Sequence, residues 1–84
     1  MKNELLLERI TADPRVLAGK PTIRGLRISV EQILRALSSG ISEDELLSEY
    51  PELESDDFRA VHAYAADRIA DERVYSLDPS VVRA

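Results

Sequence analysis

The 84 residues suffice for one domain, and a domain this small buries only about 60–65% of the surface its unfolded chain exposes, so a partner would add to modest stability. Hydrophobic residues make up 44% and charged residues 32%, ordinary for a globular chain. The absence of cysteine excludes disulfides, thiolate metal sites and cysteine nucleophiles, and suits a reducing cytoplasm. A net charge of −5 argues against wholesale polyanion binding but leaves room for a local basic face, since screening limits each charge to a reach of about 8 Å.

Such a face is suggested by where the charges fall. Residues 1–40 hold seven Lys/Arg against four Asp/Glu, and residues 41–84 hold four against twelve. The longest apolar run near the start, Leu5–Leu7, is far below the roughly 20 residues of a membrane span. Lys2 is followed at once by Glu4 and the run ends at Glu8, which is not the pattern of a signal peptide. No membrane association and a cytoplasmic location are the expectations.

In chain order, residues 1–7 read as an N-terminal arm, 8–73 as a β-element followed by a three-helix domain, and 74–84 as a tail without periodicity. Residues 8–28 read as short extended pieces punctuated at Asp13-Pro14, Gly19-Lys20-Pro21 and Gly25. In one regular strand Ile23 and Ile28 would point to opposite faces. A bulge or tight turn at Gly25-Leu26 returns both to one face and leaves Arg24 and Arg27 on the other.

The first predicted helix starts at Ser29, with Gln32 completing a capping-box pattern. Val30, Ile33, Leu34 and Leu37 form one apolar face, and Gly40 stops it. The second opens at Ser42 with Glu45 as a further capping box and Ile41 and Leu46 in staple positions. It buries Leu46, Leu47 and Tyr50 and ends before Pro51. The third opens at Ser55, sets Asp56 and Asp57 against the positive end of its dipole, and runs to about Arg73 with Phe58, Val61, Ala65 and Ile69 inward. The expected fold is mainly α: a three-helix, helix-turn-helix-like bundle preceded by a small N-terminal β-hairpin element.

Catalysis is not expected. His62 reads as a half-exposed helix-surface residue, and one histidine without cysteines offers no metal-ligand spacing. The carboxylates Glu43, Asp44, Glu45, Glu49, Glu52, Glu54, Asp56 and Asp57 read as solvated helix starts and faces. Gly19-Lys20-Pro21-Thr22 is no phosphate loop, because Pro14 stands where the first glycine is required and Pro21 where Ser or Thr should follow the lysine. No cofactor, metal or small-molecule substrate is implied. The basic segment Arg15–Arg35 remains, either as a solubilising hairpin edge or as a contact surface. Arg24 and Arg27 are its strongest candidates for phosphate or carboxylate partners.

The run Gly19-Lys20-Pro21-Thr22-Ile23-Arg24-Gly25-Leu26-Arg27-Ile28 carries a family resemblance. With it go Asp13-Pro14, Ile33-Leu34, Gly40, Tyr50-Pro51-Glu52-Leu53 and Ala63-Tyr64-Ala65-Ala66. Over about residues 8–70 the chain resembles the prokaryotic domain-of-unknown-function family numbered four-three-three. That family usually carries threonine where Leu26 stands here. The resemblance implies a homeodomain-like helical fold behind a small β-element. It also implies an antitoxin role in a type II toxin–antitoxin pair beside a PIN-like ribonuclease toxin, with transcriptional autoregulation through operator DNA. Lys20, Arg24 and Arg27 are the motif positions carried over.

Arg15, Lys20, Arg24, Arg27 and Arg59 are then the expected DNA- or partner-binding residues, and Glu49, Glu52, Asp67 and Asp71 the toxin-facing ones. A homodimer is expected, since one small module offers few phosphate contacts. The alternative is a module that binds no DNA and docks a protein partner through the basic β-element.

Overall fold

The computed structural model describes residues 3–71. Its elements are α1 (Asn3–Leu7), β1 (Ile10–Thr11), a short 3-10 turn (Leu17–Gly19), β2 (Thr22–Ile23), α2 (Val30–Ser38), α3 (Glu43–Glu49) and α4 (Ser55–Asp71). The chain is mainly helical with a small antiparallel hairpin ahead of the three longer helices, as expected. The residues read as an arm differ: Asn3–Leu7 is helical, lies along α4 and buries Leu6. The tail 74–84 and the expected end of the third helix near Arg73 lie outside the described residues.

β1 and β2 pair with Ile10 opposite Ile23 and Thr11 opposite Thr22, and Thr22 also bridges Ser29 on its other side. The turn that follows β2, between Thr22 and Ser29, is tight. The Leu26 N–H donates to the Ile23 carbonyl at 2.8 Å, and Arg24 (φ 49°) and Gly25 (φ 76°) both occupy the left-handed region. Two consecutive positive φ values define the primed hairpin turn whose twist matches antiparallel strands. It is centred one residue before the expected Gly25-Leu26, and it does return Ile23 and Ile28 to one buried face.

The helix ends are set locally. The Ser29 hydroxyl accepts the Gln32 N–H at 2.9 Å, but the Gln32 side chain donates to the Tyr50 hydroxyl, so only the N-cap half of that predicted box forms. Ser42 and Glu45 form the complete box, with both reciprocal bonds present. Past α2, the Gly40 N–H donates to the Leu37 carbonyl and the Ile41 N–H to that of Ala36, the paired bonds of a left-handed glycine stop with Gly40 at φ 100°.

The core is one cluster of Ile23, Ile28, Val30, Ile33, Leu46, Leu53, Phe58 and Val61, contributed by hairpin and helices alike. Leu34, Leu37, Leu47 and Tyr50 pack against it half-buried. Ile69 departs from expectation. It was placed on the inward stripe of the third helix, yet it is 66% exposed.

Candidate functional site

The charges of the β-element lead to one carboxylate. Asp57, in the first turn of α4, has 0% exposure. A buried carboxylate is tolerable only if its oxygens are fully hydrogen-bonded and its charge is matched. Both conditions are met. Arg24 donates from Nε to Oδ1 at 3.1 Å and from Nη2 to Oδ2 at 2.9 Å, a two-point guanidinium–carboxylate pair. Arg9 donates from Nη1 to Oδ1 at 2.9 Å, and the Glu54 N–H to Oδ2 at 2.8 Å. Arg9 also reaches Glu54 Oε1 at 2.7 Å, and Arg24 donates to the Glu52 carbonyl.

The backbone explains how Arg24 arrives there. Its left-handed turn conformation sits beside the hydrogen bond from its N–H to the Arg9 carbonyl at 2.7 Å. Both arginines therefore leave the hairpin at adjacent points and converge on the start of α4. Burial pushes the Asp57 carboxyl up, but the hydrogen bonds from Arg24, the Glu54 N–H and Arg9 outweigh it and hold its pKa below the ordinary carboxylate value. The guanidinium pKa values rise in return, that of Arg9 through Glu54 and Asp57, that of Arg24 through Asp57.

Two expectations are corrected here. Asp57 is not a solvated carboxylate but the buried centre of an ion cluster. Arg24 and Arg27 are not a matched outward pair, because Arg24 turns in to Asp57 while Arg27 is exposed.

The remaining candidates are dispersed. Arg15, with its side chain 89% exposed, grips Asp13 from Nε and Nη2 at 3.1 and 3.0 Å, and those bonds lower the Asp13 carboxyl. Lys20 lies 3.3 Å from Glu31, which also accepts from Arg35 at 2.9 Å. Arg35 first and then Lys20 hold that carboxyl below its usual range. Arg59 is exposed and lies 3.9 Å from Asp56, one helical turn away. Among the described residues, Arg27 and Arg68 make no ion pair. The local basic face expected from the charge count is thus corrected: Arg9, Arg15, Lys20, Arg24 and Arg35 all meet carboxylates of their own chain, and Arg27 is the exposed exception among the described residues of that segment. Glu49, Glu52, Asp67 and Asp71 are all exposed and, among the described residues, carry no ion pair.

Two features escaped the sequence reading. Arg9 and Asp57 carried no motif, and the only local hint was Asp57 standing three residues after Glu54, the spacing of a side chain that reaches back to cap a helix start. The second is an open groove of about 510 Å3 between α2 and the C-terminal half of α4, lined by Val30, Leu34, Tyr64, Ala65 and Ile69, with Arg35 and Arg68 also on its walls.

Among the described residues, no group of three potential ligands could hold a metal ion, and no helix is long and apolar enough to cross a membrane. His62 is exposed on α4.

The chain is 31% identical over 58 residues to the uncharacterized protein y4eO of Sinorhizobium fredii, a match covering 69% of this chain and 26% of that protein. It thus spans about a quarter of that relative's length. No solved structure matches it. The profile of a family described as proteins of unknown function, DUF433, matches residues 10–65, which include the tight turn, Arg24 and Asp57 of the ion cluster but not Arg9. The chain belongs to the DUF433 family.

Proposed function

We propose that this domain is the antitoxin of a type II toxin–antitoxin pair in the cytoplasm, neutralising a PIN-like ribonuclease by direct contact rather than by chemistry of its own. The observation that supports this most is the fate of the charges. Arg9, Arg15, Lys20 and Arg24 of the β-element are occupied within the chain, leaving Arg27 exposed, while Glu49, Glu52, Asp67 and Asp71 remain exposed without an ion pair among the described residues. A partner therefore meets a predominantly acidic surface. Such a surface complements the cationic groove in which a ribonuclease holds phosphate, and it competes with RNA for that site.

The test is co-purification with, and inhibition of, the product of an adjacent reading frame encoding a PIN-like protein. Neutralising the four carboxylates together (Glu49→Gln, Glu52→Gln, Asp67→Asn, Asp71→Asn) is expected to slow association and weaken inhibition, more at low salt than at high salt. Inhibition by the quadruple variant equal to wild type at every salt concentration would refute the reading.

Operator binding is a second reading, favoured by one arrangement. α3 and α4 are joined through Tyr50–Glu54 at helix-turn-helix spacing, and Arg59 on α4 and Arg27 after the β2 turn stay exposed. The carboxylates at the start of α4 oppose phosphate, so contact would come from those two arginines and from dimeric doubling of half-sites. A gel shift on the upstream DNA whose affinity does not fall with salt, or is absent, would exclude it.

A further inference from the structure

The groove between α2 and α4 has an apolar floor and a cationic rim. Leu34 from α2 and Tyr64 from α4 pack against the core and form the floor, and Ile69, 66% exposed, stands at the α4 edge. Arg35 lines the α2 wall and Arg68 the α4 wall. Among the described residues Glu31 is the one carboxylate lining it, and that carboxylate is shared: Arg35 donates to it at 2.9 Å and Lys20 at 3.3 Å. Three cations therefore stand against one carboxylate around the opening, a local positive surplus in a chain whose net charge is −5. Asp67 and Asp71 do not line it.

We propose that this groove receives an amphipathic helix of a partner protein, one that lays a row of apolar side chains on the floor and carries Asp or Glu on both flanks.

The shape selects a helix. Both walls are helices, so no unpaired sheet edge is offered to an extended segment. The nine residues of α2 give about 13 Å of wall, which matches about two to three turns of a guest helix. The groove is open along its length and does not enclose a small molecule, which needs most of its surface buried. The charges select the flanks. With Arg35 on one wall and Arg68 on the other, a guest with carboxylates on both sides of its apolar row meets a cation on each, while Lys or Arg there is repelled twice. The exposed acidic surface elsewhere on α3 and α4 repels the same guest, so charge directs it to this groove. The four carboxylates assigned to the ribonuclease take no part, and the assignment stands independently of that reading.

Selection from a displayed library of randomised helical peptides of about four turns tests it, with the full chain as bait and its Ile69→Asp variant as the counter-selecting bait. Enriched peptides are expected to carry apolar residues at i, i+4 and i+7 with Asp or Glu beside them, and to be depleted of Lys and Arg. A synthetic peptide of that sequence is expected to shift the amide resonances of Leu34, Arg35, Tyr64 and Ile69, and to bind Ile69→Asp at least about tenfold more weakly. Arg68→Glu is expected to lose about tenfold toward the same peptide and to recover when the peptide's acids are replaced by Lys, a reversal that a merely structural role of Arg68 does not produce. Ile41→Asp, at the α2–α3 turn, is expected to bind as wild type. Ile41, Arg68 and Ile69 are all exposed, so unchanged circular dichroism is expected of the three variants. No enrichment over the Ile69→Asp bait, or enriched peptides without an acidic bias, overturns the proposal. So does a chain that self-associates through Ile69, or one whose binding to phosphatidylglycerol vesicles is abolished by Ile69→Asp; these outcomes assign the groove to a second copy or to a membrane surface.

Discussion

Replacing Asp57 by Asn keeps the side-chain shape and removes the charge, which isolates what the ion cluster contributes. Four hydrogen bonds converge on the carboxylate: two from Arg24, one from Arg9 and one from the Glu54 N–H. Asparagine retains one acceptor oxygen, so about half of these are lost and an amide donor is turned toward a guanidinium or an N–H. Hydrogen bonds to charged groups are worth about 1.5–3 kcal/mol each. The guanidiniums, with side-chain exposures of 23% and 32%, recover part of that by hydration, so a net loss of about 3 kcal/mol is expected. Against a total of roughly 4–12 kcal/mol for a chain of 84 residues, this is a large fraction. It corresponds to a fall in Tm of about 12–24 °C in thermal denaturation followed by circular dichroism.

The pH dependence gives an independent arm. A carboxyl whose folded pKa lies below its unfolded value stabilises the fold above the unfolded pKa, and that contribution disappears as pH falls through the folded one. Asp57 is such a group, so wild type is expected to lose stability from about pH 5 downward, and its advantage over Asp57→Asn is expected to vanish in the same range. A loss below about 1 kcal/mol at neutral pH would show that desolvation cancels the pairing, and would refute the cluster as a stabilising device.

Three further outcomes follow from the same geometry. Ser42→Ala removes the acceptor for the Glu45 N–H and is expected to cost about 1 kcal/mol, read as a lower urea midpoint with unchanged slope. Gly25→Ala places a Cβ in open space but at φ +76°, so conformational strain alone is expected to cost about 1 kcal/mol in the same assay. Arg27→Glu, by contrast, is expected to leave Tm within about 2 °C of wild type, since its guanidinium makes no ion pair among the described residues. In a gel shift it should reduce the salt slope by about one if DNA is bound.

What could be read from the sequence was decided within about four residues. Ser42 and Glu45 cap each other, and Gly40 accepts the left-handed stop, so α3 and the end of α2 were visible where they occur. Gln32 shows the limit. Its spacing from Ser29 satisfied the capping pattern, yet Tyr50, eighteen residues away, offers its hydroxyl instead. α1 has only five residues, too few for a periodic signal, and is held by burial of Leu6 along α4. Asp57 differs from Asp56 locally only in its capping distance from Glu54. Its burial depends on arginines 33 and 48 residues earlier, reached only once the hairpin folds over the start of α4.

The same distance effect governs the functional reading. Counting charges along the chain separated a basic front from acidic helices, and that separation holds only for an extended molecule. Folding brings the front to the helices as Ile23 and Ile28 enter the core with Phe58 and Val61, and Arg9 and Arg24 then meet the buried Asp57. Arg9 and Arg24 therefore act as struts between hairpin and α4, and they stop being available to phosphate. A partner responds to the charge left over after internal pairing. Among the described residues, what remains is acidic on α3 and α4, cationic at Arg27 and Arg68 and at the exposed Arg59 with its 3.9 Å approach to Asp56, and apolar in the groove beside Ile69. Substitutions at Arg9 or Arg24 would thus alter binding chiefly through loss of fold. Arg27 and Arg59 are where a change in nucleic-acid affinity can be measured on an intact domain.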